Sequence, residues 1–278
     1  MYKPLVSVII PTKDRTEFLS RCIGRLMIQN TSNYKLEIIV IDSSENYSNR
    51  TGSYYHYWEP RFNEIQAINY GISVSKGEII ALLSDDDYYT NDTIFRAVRF
   101  LQKSPDFDAV CGDCIYIDKQ GKLIGGGMQS ARDMNELSNS ARLRKKLHSS
   151  YACLVASSTF FGRRICFTPI AYGSKPLSRV SDCVFFYSLL QLGFKIGVVP
   201  EVFTYYTKHS QQGAAKYRSE CRQQYHSFLK YSIGFRWYDF LFYHTIGKIV
   251  YLVKNKYCHS GMFLASVIER IFSKLLCH

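Results

Sequence analysis

Residues Gly77 to Tyr89 (GEIIALLSDDDYY) join an unbroken apolar run directly to three consecutive carboxylates, and few folds accommodate that junction. Ile79 to Leu83 shows no alternation of polar and apolar residues, which is the pattern of a short strand covered on both faces of a sheet. Such a strand ends in the middle of the protein. Asp85, Asp86 and Asp87 at its carboxyl end crowd three negative charges together, a repulsion that folding alone gives no reason to accept. A divalent cation would relieve it, and hard oxygen ligands of this kind suit Mg²⁺ or Mn²⁺ sharing its shell with substrate phosphates. The simpler alternative is an acidic turn facing water.

Upstream, Leu5 to Ile10 reads as a β-branched strand stopped by Pro11 and Thr12. Thr16 then opens a helix with Phe18, Leu19, Cys22, Ile23, Leu26 and Met27 on one face. Leu36 to Ile41 is a second buried strand ending at Asp42, Tyr54 to Trp58 is a third, and a helix is expected over about 63–75. Strands alternating with helices imply a mainly parallel sheet, whose ligands bind at the carboxyl ends of the strands. Thr12, Asp14, Arg15, Asp42 and Asp85 to Asp87 should therefore line one crevice.

After Asn91 the pattern turns mixed. A helix over about 92–103 leads to an alternating strand at 108–118, a hairpin turn at Lys119 to Lys122 and another short strand. Residues 125–150 are polar and basic, with Arg142, Arg144, Lys145 and Lys146 together, and read as a connection or a solvated helix. Ser181 is the expected N-cap of a helix closed by Gly193. Strands at 195–199 and 202–206 should flank a turn at Pro200 and Glu201, the second leading to Thr207, Lys208 and His209.

Charge separates the end of the chain from the rest. The net charge is +12 over 278 residues. Residues 215–278 hold much of the excess, with Lys216, Arg218, Arg222, Lys230, Arg236, Lys248, Lys254, Lys256, Arg270 and Lys274 against Glu220, Asp239 and Glu269. Leu264, Val267, Ile268, Ile271, Phe272 and Leu275 recur there at helical spacing. Basic amphipathic helices with aromatic residues suit an anionic membrane interface; packing on the domain or on a second subunit is the alternative. A nucleic-acid partner fits less well, because the basic residues lie beside apolar runs and not among aromatics arranged on a strand face for base stacking. Nine cysteines without Cys-x-x-Cys pairs suggest reduced thiols, and neither a secretory leader nor a spanning helix is evident. A cytoplasmic protein, peripheral on the membrane, is the expectation.

Four blocks together resemble the family 2 glycosyltransferases, nucleotide-sugar enzymes of the GT-A fold, especially those that assemble bacterial polysaccharides. They are Val6 to Arg15 (VSVIIPTKDR), Leu36 to Ser44 (LEIIVIDSS), Ala67 to Asp87 (AINYGI, then KGEIIALLSDDD), and Ser181 to Tyr187 (SDCVFFY) leading to Tyr205 to His209 (YYTKH). The likeness runs from about residue 4 to 210. It implies a GT-A domain over 1–214, with a nucleotide-binding half to about 103 and an acceptor half from 104, followed by the helical tail 215–278. It implies a nucleotide site at Pro11, Thr12, Arg15, Asp42, Asp85 and Asp86, with Asp42 accepting from the N3–H of a uracil. Asp85 and Asp87 become the outer members of an Asp-x-Asp motif that, with His209, holds Mn²⁺ or Mg²⁺. Asp182 becomes the general base of an inverting transfer from a UDP-sugar to a lipid-linked or growing saccharide. Ser181 stands where the family more often has Glu, Asp14 where it often has Asn, and Leu154 to Phe161 lacks a His-Gln pair found in many relatives. A non-catalytic protein that binds sugar nucleotide or polysaccharide is the alternative from another class.

Overall fold

The structure, a computed structural model, describes residues 2–46, 52–125, 155–173, 175–210, 212 and 217–232. The apolar runs expected as strands all enter one sheet. In chain order the elements begin β1 (Leu5–Thr12), α1 (Thr16–Met27), β2 (Lys35–Asp42), β3 (Tyr55–Trp58), α2 (Glu64–Val74) and β4 (Ile79–Leu82). The short β5 (Tyr88–Tyr89) follows, then α3 (Thr93–Lys103), β6 (Ala109–Ile117), β7 (Leu123–Gly125) and β8 (Phe160–Arg163). The series closes with α4 (Ser181–Gln191), β9 (Ile196–Thr207) and α5 (Arg218–Ser232).

The strand order is β3-β2-β1-β4-β8-β6-β9-β5, with β7 beside β6. The first four are parallel; β8 runs antiparallel to β4 and β6, while β9 returns parallel to β6. Both faces are covered, as the absence of alternation in β1 and β4 requires. Val6, Val8 and Ile10 pack with Leu19 and Leu26 of α1 and Ile94 and Val98 of α3. Ile9, Ile80 and Leu82 point the other way, toward Ile68 of α2, Phe160, and Phe185 and Phe186 of α4. Helix α2 lies so close to β1 that a Cβ on Gly71 would sit 2.4 Å from Ile9 Cγ2.

Two local expectations are corrected. Pro200 and Glu201 make no turn: β9 runs through them as one strand, and its ladder with β6 shifts register around Asp113. A bulged ladder is where a strand tolerates a residue without an N–H. Ser181 is not the N-cap of α4 but its first residue; Val180 occupies the cap, and the Ser181 hydroxyl donates to Ser178 O at 3.3 Å. Gly193 does close the helix, at φ +84°.

Helix α5 starts just past the expected boundary at residue 214 and is anchored to the sheet domain by Tyr225 and Phe228. Both are buried in the cluster around Phe185, with the Phe228 and Tyr187 rings 5.5 Å apart. The basic group at Arg142 to Lys146 and the apolar stretches after residue 232 lie outside the described residues. Among the described residues no helix is long and apolar enough to cross a membrane.

Candidate functional site

Parallel register brings the carboxyl ends of β1, β2 and β4 out together. Thr12 pairs with Asp42 and Ile9 with Leu82, so Thr12 and Asp85 emerge level, and Thr12 Oγ1 donates to Asp85 Oδ2 at 2.7 Å. Pro11 lies in the same register opposite Ile41. The turn after β1 places Asp14 at φ 55°, a left-handed conformation that Asp and Asn tolerate better than most residues. Its N–H donates to Ser44 Oγ at 2.9 Å, tying this turn to the end of β2. The turn delivers Arg15, whose Nη1 donates to Asp85 Oδ1 and Asp86 Oδ2, both at 3.1 Å.

The three aspartates have separate surroundings. Asp86 Oδ2 also faces His209 Nε2 at 2.9 Å, and the His209 ring stacks on Phe18 with centroids 4.9 Å apart. Asp87 is 1% exposed, and its Oδ1 accepts from the Thr207 N–H at 2.9 Å. The carboxylate that meets His209 is therefore Asp86, whereas the expected metal pairing put Asp87 there. Asp87 turns toward β9 and anchors that strand. Burial, reinforced by Asp86 and opposed by Arg15 and Thr12, raises the Asp85 carboxyl to about 6. Burial and then Asp86 push Asp87 well above the usual carboxylate range, against the Thr207 N–H. Burial lowers the Arg15 guanidinium, but Asp85 and Asp86 outweigh it, so Arg15 is held more firmly cationic.

Asp42 is fully buried and already engaged. Oδ1 accepts from the Ser44 N–H at 2.9 Å and from the Ser44 hydroxyl, and Oδ2 faces His56 Nε2 at 3.2 Å. Trp58 Nε1 donates to Ser44 O at 3.0 Å. The carboxylate expected to meet a base thus braces the turn and β3 from beneath.

Asp182 lies in the first turn of α4, where its Oδ1 accepts from the Cys183 N–H at 2.8 Å. Its field reaches the same crevice. Desolvation by the surrounding crevice first, then Asp182, Asp85 and Asp86, raise Glu64 at the start of α2, with Arg15 opposing. Burial and then Asp87, Asp86 and Asp182 raise the Tyr206 phenol. Among the described residues no three His, Cys, Asp or Glu side chains gather closely enough to enclose a metal by themselves.

The structure thus joins Thr12, Arg15, Asp85, Asp86 and His209, puts Asp182 in the first turn of α4, and gives Asp42 partners of its own. His56, Ser44, Phe18, Thr207 and Glu64 also belong to this arrangement, and none of them was assigned to the site from sequence. His56 carries no motif; only the β2–β3 register, with Val40 opposite it, brings it to Asp42. Glu64 reads locally as an ordinary acidic residue in a helix's first turn.

Comparison with known proteins places residues 7–166 within the model of glycosyl transferase family 2. An uncharacterized glycosyltransferase of Rickettsia felis is 30% identical over 133 residues, 45% of this chain and 22% of that protein. The glycosyltransferase GlyG of Streptococcus pneumoniae is 28% identical over 125 residues, 41% of this chain and 40% of its own. The chain thus matches well under half the length of these relatives. Among solved structures, S. aureus TarS aligns over 83% of this chain and 40% of its own, with a TM-score of 0.56 and 17% identity. Its 1–349 fragment in complex with UDP-GlcNAc aligns over 76% of this chain and 60% of that one, with a TM-score of 0.55 and 18% identity. At such identity the likeness speaks to the fold, which is the expected GT-A arrangement.

Proposed function

Because this chain belongs to glycosyl transferase family 2, we propose that it moves a sugar from a UDP-sugar to a saccharide hydroxyl, inverting the anomeric centre. The observation that carries the reading is the cluster of Arg15, Asp85, Asp86 and His209 at the sheet's carboxyl edge; Asp182 lies in the first turn of α4. Uridine is supported by the TarS fragment, whose solved complexes hold UDP-GlcNAc and UDP. In this reading Asp42 acts on the base through the turn it braces, together with His56.

An Asp86 oxygen and a His209 nitrogen 2.9 Å apart, with Asp85 alongside, form a donor set that suits Mn²⁺ or Mg²⁺ completing its shell with diphosphate oxygens and water. Such an ion, when bound, supplies Lewis-acid stabilisation of the leaving diphosphate. Arg15 adds a fixed positive charge beside it. Asp182 takes the proton of the acceptor hydroxyl as that oxygen bonds to the anomeric carbon. The bond from that carbon to the diphosphate oxygen breaks, and its electron pair leaves with UDP. The acceptor is a saccharide or lipid-linked saccharide, met on an anionic membrane to which the residues after 232 dock. Co-sedimentation with phosphatidylglycerol vesicles, lost when those residues are removed, tests the docking.

Calorimetric titration with UDP and GDP, each with and without Mn²⁺, tests the donor site on wild type and Asp86→Asn. UDP binding that requires Mn²⁺ and drops ten-fold or more in the variant is expected. Preference for GDP would overturn the uridine assignment, and no nucleotide binding in any condition would overturn the reading as a whole.

A further inference from the structure

Glu64 is a crevice carboxylate to which the reaction above assigns no task. It stands at the start of α2, where Asn63 caps the helix through a reciprocal pair of bonds with Gln66, both 3.0 Å. The segment before α4 clamps that end of α2. Asn69 Nδ2 donates to Tyr172 O at 3.0 Å and Asn69 Oδ1 accepts from the Tyr172 N–H at 2.8 Å. Gly173, at φ +75°, is wedged so tightly that a Cβ would lie 2.5 Å from Ser181 Cβ and 3.1 Å from Ile65 Cδ1. The residue after Glu64 and the residue before Asp182 therefore press on the same glycine, and the starts of α2 and α4 are neighbours across the crevice. Glu64 stays accessible to solvent and accepts no hydrogen bond from a described residue. Helix α2 follows β3, which runs parallel to β2, so its start lies at the carboxyl edge of the sheet; Glu64 therefore has the neighbouring start of α4, with Asp182, on one side and the strand-end groups Arg15, Asp85 and Asp86 on the other.

Those two sides are the two ends of the transfer. On the UDP-sugar reading the diphosphate would lie at the Arg15, Asp85 and Asp86 end through a bound cation and the acceptor oxygen at Asp182, which would put the sugar in transit between them, beside Glu64. We propose that Glu64 reads the transferred sugar by accepting hydrogen bonds from its hydroxyls, and that Glu64 and Asp182 together restrict the donor to neutral sugars. The inference rests on the UDP-sugar reading above. A carboxylate suits this task because it offers only acceptors to hydroxyl donors, and charge-assisted bonds of this kind are the stronger ones. A uronic acid in the same place would set its own carboxylate against two others, and like charges brought together are costly.

The test is calorimetry in Mn²⁺ with UDP, UDP-glucose, UDP-galactose, UDP-N-acetylglucosamine and UDP-glucuronate, on wild type and Glu64→Gln. The variant keeps the shape and removes the charge. At least one neutral sugar nucleotide should bind wild type about ten-fold or more tightly than UDP-glucuronate. Glu64→Gln should leave UDP within about two-fold, weaken that neutral donor about ten-fold and narrow its margin over UDP-glucuronate. A merely structural role would lower UDP and UDP-sugar affinity alike, and that result overturns the inference while sparing the donor site. UDP-glucuronate binding as well as the neutral donors, or no sugar adding affinity to UDP, overturns it too. Absence of UDP binding to wild type overturns the donor reading and this inference with it.

Discussion

Replacing Asp85 with Asn should stabilise the metal-free protein, by an amount that depends on pH. In the fold the Asp85 carboxyl lies at about 6 against an ordinary value of 3.8, chiefly through burial and then through Asp86. A carboxyl raised in this way holds its proton more tightly folded than unfolded. The stability it contributes is complete below pH ~3.8 and is lost as pH rises to ~6, so that ionised Asp85 at pH 7 costs the fold about 3 kcal/mol. Asn keeps the shape and never ionises, so it stands in for the protonated carboxyl, and the bonds that Arg15 and Thr12 give the ionised form are already counted in the raised value. The net gain at pH 7.5 is therefore about 2–3 kcal/mol, a rise in Tm of roughly 4–12 °C for a domain of this size. At pH 4.5, where the folded carboxyl is mostly protonated, the gain should fall to about 1 kcal/mol. Calorimetric or fluorescence melting of both from pH 4.5 to 7.5 in a chelator isolates Asp85, because the other titrating groups are common to the pair. A difference that stays flat with pH, or shrinks as pH rises, would refute the reasoning, and a variant less stable at pH 7.5 would show that the Arg15 bridge outweighs desolvation.

Asp182→Asn should lower transfer about 10²- to 10⁴-fold while leaving UDP affinity unchanged, measured by product formation beside calorimetry. His56→Leu should destabilise the fold by about 1–3 kcal/mol in urea melts, because Asp42 Oδ2 would lose the donor it faces at 3.2 Å in a site without solvent. Gly71→Ala should cost about 1–3 kcal/mol in the same assay, since the added Cβ lies 2.4 Å from Ile9 Cγ2 and either the helix or the strand must shift.

The parallel half of the sheet was legible because its signal is local. An apolar run of β-branched residues that ends in Asp or Thr, repeated between amphipathic segments, describes a strand and its functional end together, and β1, β2 and β4 lie where those runs lie. Arg15, Asp85 and Asp86 were legible for the same reason. What was missed depends on register or on distant partners. Pro200 and Glu201 look like a turn in isolation, yet β6 supplies a bulged ladder that carries the strand through them. Ser181 has the composition of an N-cap, but the chain enters α4 one residue earlier, at Val180. His56 is an unremarkable strand residue until β3 is placed beside β2, and then it is the group facing a fully buried aspartate.

The aspartate triplet shows how far register can separate identical residues. Beyond the end of β4 the three consecutive side chains take different directions, and only Asp85 and Asp86 share a partner among the described residues. Asp85 meets Thr12 from β1 and the Arg15 guanidinium; Asp86 meets the same guanidinium and His209; Asp87 meets the backbone of Thr207. The positive charge that relieves their repulsion comes from Arg15, just past the first strand, and the partner of Asp86 comes from just past the last. Neither is near the triplet in sequence. The site is therefore complete only when β9 has docked, and Asp87, buried against that strand, couples the docking to the position of Asp86. Burial with an N–H partner ties Asp87 to the strand, which leaves Asp85 and Asp86 as the carboxylates that face Arg15 and His209.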